Sequence, residues 1–132
     1  AGHTAFAMAP RCGWVIASDL TQGMLESTRK NGAEKGITNT RLLRTDSESL
    51  ALRDASVDSV SVRIAPHHFS DVQKTIGEMR RVLKPGGKLM AEFGDGQESA
   101  IEGLFAQAAW ASVEITNDLT GRPRIVIASA GQ

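Results

Sequence analysis

The stretch Trp14-Val15-Ile16-Ala17-Ser18-Asp19 decides how the rest of the chain is interpreted. It is a short apolar run that ends in a carboxylate, and it is typical of a buried strand because it is too short for a helix. Helical spacing follows at once, in Leu20, Met24, Leu25 and Thr28. A strand that ends at an acid and leads into a helix is half of a βαβ unit. Ligands of open α/β sheets bind beyond the carboxyl ends of the strands, where an acid can accept hydrogen bonds from ribose hydroxyls.

The same pattern recurs along the chain. Periodicity predicts further strands at residues 40–45, 57–64, 88–93, 113–116 and 124–129, and helices at residues 1–9, 21–30, 70–84 and 98–111. The second helix has Thr21 as a possible N-cap, and Gly36 is predicted to follow its end. The third helix has the pattern of a capping box, Ser70-Asp71-Val72-Gln73, and places Lys84 in its last turn. One side of it is predicted to carry an apolar stripe of Phe69, Val72, Ile76, Met79 and Leu83. This order predicts an α/β fold, Rossmann-like, with a mostly parallel sheet, helices on both faces and a C-terminal antiparallel hairpin.

Composition bounds the class of protein. The 132 residues are enough for one domain, and the 41% hydrophobic and 23% charged content is ordinary for a globular protein. Fifteen acidic and fifteen basic side chains argue against nucleic acid or a membrane surface as the main partner. Cys12 is the single cysteine, which excludes an internal disulfide and a cysteine-rich metal site. We therefore expect a cytoplasmic protein without a metal site.

Four motifs together resemble the class I S-adenosylmethionine-dependent methyltransferases, in particular the ubiquinone/menaquinone-type small-molecule branch. They are Gly2-His3-Thr4-Ala5, Ser18-Asp19-Leu20-Thr21-Gln22-Gly23-Met24-Leu25, Thr45-Asp46-Ser47-Glu48-Ser49-Leu50 and Glu78-Met79-Arg80-Arg81-Val82-Leu83-Lys84-Pro85-Gly86-Gly87-Lys88-Leu89. The last motif is the most specific, although its role is to position a strand. The resemblance covers essentially the whole chain.

The resemblance implies S-adenosylmethionine as cofactor and assigns cofactor-binding roles to Gly2, Asp19, Leu20, Asp46, Ser47 and Arg63. Asp19 would accept hydrogen bonds from the ribose hydroxyls and Leu20 would pack on the adenine ring. Asp46 would accept from the adenine amino group, with Ser47 lining the same pocket. Gly2 would let the backbone approach the amino-acid part of the cofactor, and Arg63 would lie beside the methyl donor.

His67 and His68 are the candidate catalytic residues. The resemblance implies that they face the methyl acceptor, and a loop histidine can act as a general base. Each assignment has a structural alternative. The two histidines could simply face solvent or pack on a neighbour. Asp19 could stabilise a helix N-terminus and Asp46 could cap a turn. Arg63 could form a structural ion pair.

The resemblance also implies that a strand and part of a loop of the family's fold are missing from the given sequence. The family's first strand and most of its glycine-rich loop precede the position of Ala1, and that strand lies between the strands at residues 14–19 and 57–64. We therefore expect a single, N-terminally truncated methyltransferase-like domain over residues 1–132. The given chain is either a fragment of a longer domain or a truncated domain that pairs those two strands or borrows a strand from another copy. A homo-oligomer is expected if the chain starts at Ala1.

Two functions remain open. The first is methyl transfer from S-adenosylmethionine to a small-molecule acceptor by in-line displacement. The second is a non-catalytic methyltransferase-like remnant that acts as an oligomeric scaffold or binding module. A nicotinamide-dependent oxidoreductase is disfavoured because no full G-x-G-x-x-G motif occurs in the sequence.

Overall fold

A computed structural model describes residues 2–64, 71–107 and 109–132. The chain divides into two compact units, Ala1–Ser47 and Glu48–Gln132. The element order α-β-α-β-β-α-β-α-β-β is the predicted one, and the α/β class is confirmed. No helix in the described ranges has both the length and the apolar character that a membrane span requires.

The first unit is built on two parallel strands. Its elements are α1 (His3–Met8), a single 3₁₀ turn (Ala9–Arg11), β1 (Val15–Asp19), α2 (Gln22–Glu34) and β2 (Thr40–Arg44). β1 and β2 pair in parallel from Val15 opposite Thr40 to Asp19 opposite Arg44. Val15 is buried with Ala5 and Ala9 of the first helical segment in a small core. Helix α2 continues through Asn31-Gly32, and Gly36, at φ 70°, follows its end as predicted.

The second unit is a four-stranded mixed sheet. Its elements are β3 (Val57–Arg63), α3 (Val72–Val82), β4 (Leu83–Glu92), α4 (Glu98–Ala106), β5 (Trp110–Asn117) and β6 (Pro123–Ala130). The strand order is β3-β4-β6-β5, with β3 parallel to β4 and the other pairs antiparallel. The predicted C-terminal hairpin is confirmed, and β6 lies inside the sheet with β5 at its edge. β1 and β3 belong to different sheets.

One apolar core holds the second unit together. Helices α3 and α4 pack their apolar sides on one face of the sheet, and the fully buried members of this core include Phe93, Phe105, Ile76, Leu89 and Val126. Ile76 and Met79 belong to the apolar stripe expected on α3. Met90, on the opposite face of β4, is exposed.

The N-terminus of α3 differs from the predicted capping box. The N-cap is Asp71, whose carboxylate accepts a hydrogen bond from the Lys74 backbone N–H at 3.0 Å. An Asp at this position satisfies a free N–H of the first turn as well as a Ser does. The expected cap Ser70 and the stripe residue Phe69 lie outside the described residues.

The C-terminus of α3 is earlier than predicted, and the placement of Lys84 in its last turn is wrong. The helix ends at Val82, and Leu83 is already extended and begins β4. Pro85 explains this end, because a residue that precedes proline is disfavoured in the helical region. The ladder with β3 then shifts register between Leu83 and Lys88.

Position 87, within this register shift, requires glycine. A Cβ at that position would lie 2.9 Å from both the Asp58 and Lys84 carbonyl oxygens, so a side chain has no room. Gly86, at φ 77°, takes a backbone conformation that favours glycine. The Pro-Gly-Gly motif is therefore explained by packing, in agreement with the structural role expected for it.

Candidate functional site

The candidate site lies at the carboxyl ends of β1 and β2. Asp19 is the last residue of β1 and pairs with Arg44, the last residue of β2. The Thr45 backbone N–H donates to the Asp19 carbonyl oxygen at 3.0 Å, which extends the pairing by one residue. Because the strands are parallel, Asp19 and the loop that begins at Asp46 lie at the same edge of the sheet. This is the edge at which α/β sheets bind ligands.

The carboxylate of Asp19 is held by one of its two oxygens. Oδ1 accepts hydrogen bonds from the Thr21 backbone N–H at 2.8 Å and from the Thr21 hydroxyl at 2.9 Å. Oδ2 accepts none from the described residues, and the side chain is half-buried. The residue thus has a fixed orientation and one carboxylate oxygen available as an acceptor.

Leu20 places an apolar surface beside this carboxylate. Its side chain is 61% exposed, although leucine is ordinarily a core residue. The backbone is fixed, because Arg44 Nε donates to the Leu20 carbonyl oxygen at 3.0 Å. An exposed apolar side chain on a fixed backbone is suited to contact a flat ring.

Gly2 has a structural reason to be glycine. Its φ is 87°, and a Cβ would lie 2.7 Å from Phe6 Cζ and 2.9 Å from Thr28 Cγ2. The Gly2 carbonyl oxygen also accepts the Phe6 backbone N–H at 2.9 Å, within the first turn of α1. Packing alone therefore requires glycine here, and a contact with the cofactor stays a prediction.

Asp46 and Ser47 follow β2 directly. Asp46 is exposed and Ser47 is half-buried. Their position after the strand is the predicted one, and their roles toward adenine stay predictions.

The remaining candidates belong to the second unit. Arg63 ends β3, and its Nη2 lies 3.1 Å from Glu92 Oε1 on the neighbouring β4. Arg124 Nη2 approaches the same oxygen at 3.3 Å. This ion pair is the structural alternative considered for Arg63, whose contact with the cofactor stays a prediction. His67 and His68 lie outside the described residues.

The residues of the first unit fit the adenosyl part of S-adenosylmethionine. A ribose diol needs a fixed acceptor, which Asp19 Oδ2 offers, and an adenine ring needs an apolar surface, which Leu20 offers. Among residues 2–64, 71–107 and 109–132, no cluster of three or more histidine, cysteine or acidic side chains could hold a metal ion.

Comparison with known proteins decides the family. Residues 1–91 match the family model described as a methyltransferase domain. The chain belongs to this methyltransferase family. Its class is that of the S-adenosylmethionine-dependent enzymes, so the expected family is confirmed and S-adenosylmethionine is the family's cofactor.

Individual relatives agree with this assignment. The uncharacterized methyltransferase YcgJ of Bacillus subtilis (strain 168) is 42% identical over 90 residues, which are 68% of this chain and 36% of YcgJ. The ubiquinone/menaquinone biosynthesis C-methyltransferase UbiE of Acidiphilium cryptum (strain JF-5) is 33% identical over 105 residues, 78% of this chain and 41% of the relative. The chain thus spans about two fifths of these relatives.

Solved structures confirm the fold. A putative S-adenosyl-L-methionine-dependent methyltransferase of Methanococcus maripaludis superposes with a TM-score of 0.86 at 19% identity, covering 99% of this chain and 74% of that one. The Bacillus YcgJ structure gives a TM-score of 0.78 at 21% identity, covering 99% of this chain and 88% of that one. The methyltransferase fold therefore extends over nearly the whole chain.

Two residues that hold Asp19 and Leu20 in place have no predicted role at the site, Thr21 and Arg44. Thr21 was expected only as a possible N-cap of α2, and Arg44 was not singled out. A Thr two residues after an Asp is a local signal for a side chain that bonds its own turn, so the Thr21 contact had a readable motif. The contact of Arg44 with Leu20, 24 positions earlier, had no such motif in the sequence.

Proposed function

We propose that this domain binds S-adenosylmethionine and transfers its methyl group to a small-molecule acceptor. The observation that carries the proposal is the Asp19 carboxylate, which keeps one oxygen available beside the exposed Leu20 at the carboxyl end of β1. Membership of the methyltransferase family supports it.

The chain's own residues would bind the cofactor and orient it. Asp19 Oδ2 would accept the ribose hydroxyls, Leu20 would cover one face of the adenine ring, and Asp46 would accept the adenine amino group. The cofactor supplies a methyl group on a positively charged sulfur, and in-line displacement moves that methyl to the acceptor while the sulfur keeps the electron pair. Such a reaction depends mainly on alignment of the reacting atoms.

The acceptor class is proposed from the relatives. Several are ubiquinone/menaquinone biosynthesis C-methyltransferases or demethylmenaquinone methyltransferases, so aromatic quinone precursors are the first acceptors to test. We expect His67 and His68 to face this acceptor.

Titration calorimetry with S-adenosylhomocysteine tests the proposal. We expect micromolar binding by the wild-type chain, followed by methylation assays with quinone precursors. If the folded chain shows no binding up to millimolar ligand, the proposal is wrong and the non-catalytic scaffold takes its place.

A further inference from the structure

We infer that Thr21 is a positioning residue for ligand binding, because its hydroxyl orients the Asp19 carboxylate toward the ribose hydroxyls. This inference rests on the proposed function. It assigns to Thr21 a role that differs from the helix cap its position suggests.

The Thr21 hydroxyl points to Asp19 and does not cap α2. Thr21 is the N-cap of α2, and an N-cap Thr ordinarily accepts a hydrogen bond from a backbone N–H in the first helical turn. Here its side chain makes no such bond. The hydroxyl instead donates to Asp19 Oδ1 at 2.9 Å. The chain thus leaves an exposed helix end without its side-chain cap and directs the hydroxyl to the carboxylate.

The contact with Thr21 restrains the Asp19 carboxylate. Two donors from one residue, the backbone N–H at 2.8 Å and the hydroxyl at 2.9 Å, meet at the same oxygen. Together they set the rotation of the carboxylate about its own axis, and Oδ2 is left without a hydrogen bond among the described residues. The backbone N–H alone would leave a looser arrangement, since one hydrogen bond restrains a planar group less than two.

The backbone of Asp19 and Leu20 is already fixed by hydrogen bonds from β2 and the residue that follows it. Thr45 N–H donates to the Asp19 carbonyl, and Arg44 Nε donates to the Leu20 carbonyl, both at 3.0 Å. Side-chain rotation of Asp19 is therefore the main freedom left at this strand end. Ordering it before binding removes an entropic cost from the bound state.

The test uses two nucleosides and two substitutions. Thr21→Val removes the hydroxyl with nearly unchanged shape, and Thr21→Ser keeps the hydroxyl. Adenosine carries the 2′ and 3′ hydroxyls of the ribose, and 2′,3′-dideoxyadenosine lacks these two. Binding of each nucleoside to each protein is followed by NMR titration, which measures weak affinities and reports folding from the same spectra.

We expect Thr21→Val to weaken adenosine binding about five-fold, the scale of one hydrogen bond, and to leave dideoxyadenosine binding unchanged. Thr21→Ser should bind adenosine as the wild type does. In an Asp19→Asn background, the Thr21→Val substitution should have a much smaller effect, because the two residues act as a pair.

The contrary outcomes are distinct. Unchanged adenosine binding by Thr21→Val, or equal weakening of both nucleosides, overturns the inference and leaves the proposed function standing. Absence of adenosine and S-adenosylhomocysteine binding to the wild type overturns the proposed function and this inference with it. If Thr21→Val does not fold, Thr21→Ala against Thr21→Ser gives the same comparison.

Discussion

At the scale of single residues, we expect cofactor binding to depend on Asp19. Asp19→Ala should weaken S-adenosylhomocysteine binding by about 1–3 kcal/mol, because the ribose hydroxyls lose their acceptor. Calorimetry measures the loss, and Glu34→Ala, an exposed acid at the other end of α2, is the matched control. Equal affinity of Asp19→Ala and wild type, with the fold intact, would remove Asp19 from the site.

A second residue-scale prediction concerns Gly2. Gly2→Ala should lower the free energy of unfolding by about 1–2 kcal/mol, because alanine is strained at φ 87° and its Cβ meets the Phe6 ring. Urea unfolding followed by circular dichroism measures the change. Gly13→Ala, where a Cβ meets nothing within 4 Å, is the control. Equal stability of Gly2→Ala and wild type would contradict the packing explanation.

At the scale of elements, Arg81 ties the loop at residues 48–56 to α3. Its guanidinium donates to Glu78 Oε2 at 2.6 Å, to the carbonyl oxygens of Leu52 and Leu50 at 2.8 and 2.9 Å, and to Asp54 Oδ1 at 2.7 Å. Glu78 Oε1 in turn accepts the Leu50 backbone N–H at 2.9 Å. The specific helix motif noted in the sequence therefore also anchors a loop that precedes it.

This network predicts a pH dependence of stability. The hydrogen bond from Arg81 lowers the pKa of Glu78, against the opposing effect of burial. A carboxyl group with a lowered folded-state pKa stabilises the fold above its unfolded pKa, about 4.3, and that stability is lost as pH falls through the folded value.

Glu78→Gln should therefore lower the free energy of unfolding by about 1 kcal/mol at pH 7, and by progressively less below about pH 4. Urea unfolding at pH 7 and at a pH below about 4 measures both differences. Glu102→Gln, an exposed acid on α4, is the control. A difference from wild type that is the same at both pH values would show that the charge of Glu78 is not what stabilises the loop.

At the scale of the whole molecule, open strand edges predict self-association. Within the described residues β1 forms a ladder only with β2, so the other edge of each of these two strands has no ladder partner there. Trp14, which directly precedes β1, and Ile16, next to the buried Val15 in β1, are 59% and 42% exposed. Arg41 lies 4.1 Å above the Trp14 ring, which adds a charged rim to this patch.

We expect light scattering to give a mass above the 14.1 kDa of one chain and rising with concentration. Ile16→Lys should shift the distribution toward the monomer, because a charge on an open strand opposes pairing. Leu119→Lys, at a fully exposed turn, should not. A constant 14.1 kDa mass over the concentration range would refute self-association.

Much of the fold could be predicted from the sequence, because it depends on local periodicity. The strand ending at Asp19, the helix that follows, the stripe of Ile76 and Met79, and the terminal hairpin are all expressed within a few residues. Element ends were less predictable. The cap at Asp71 and the early end of α3 at Val82 depend on which of several neighbouring candidates the packed helix uses.

The sequence by itself determined the α/β order, the methyltransferase family and the place of Asp19 at a strand end, since these follow from residue types at fixed spacing. Tertiary structure alone decided which oxygen of Asp19 stays available, how Arg44 holds Leu20, and how Arg81 anchors a loop nearly 30 residues away. These contacts join groups whose meeting depends on packing of whole elements. No local sequence pattern predicts these contacts, because the free energy that stabilises them depends on the packing of the whole folded chain.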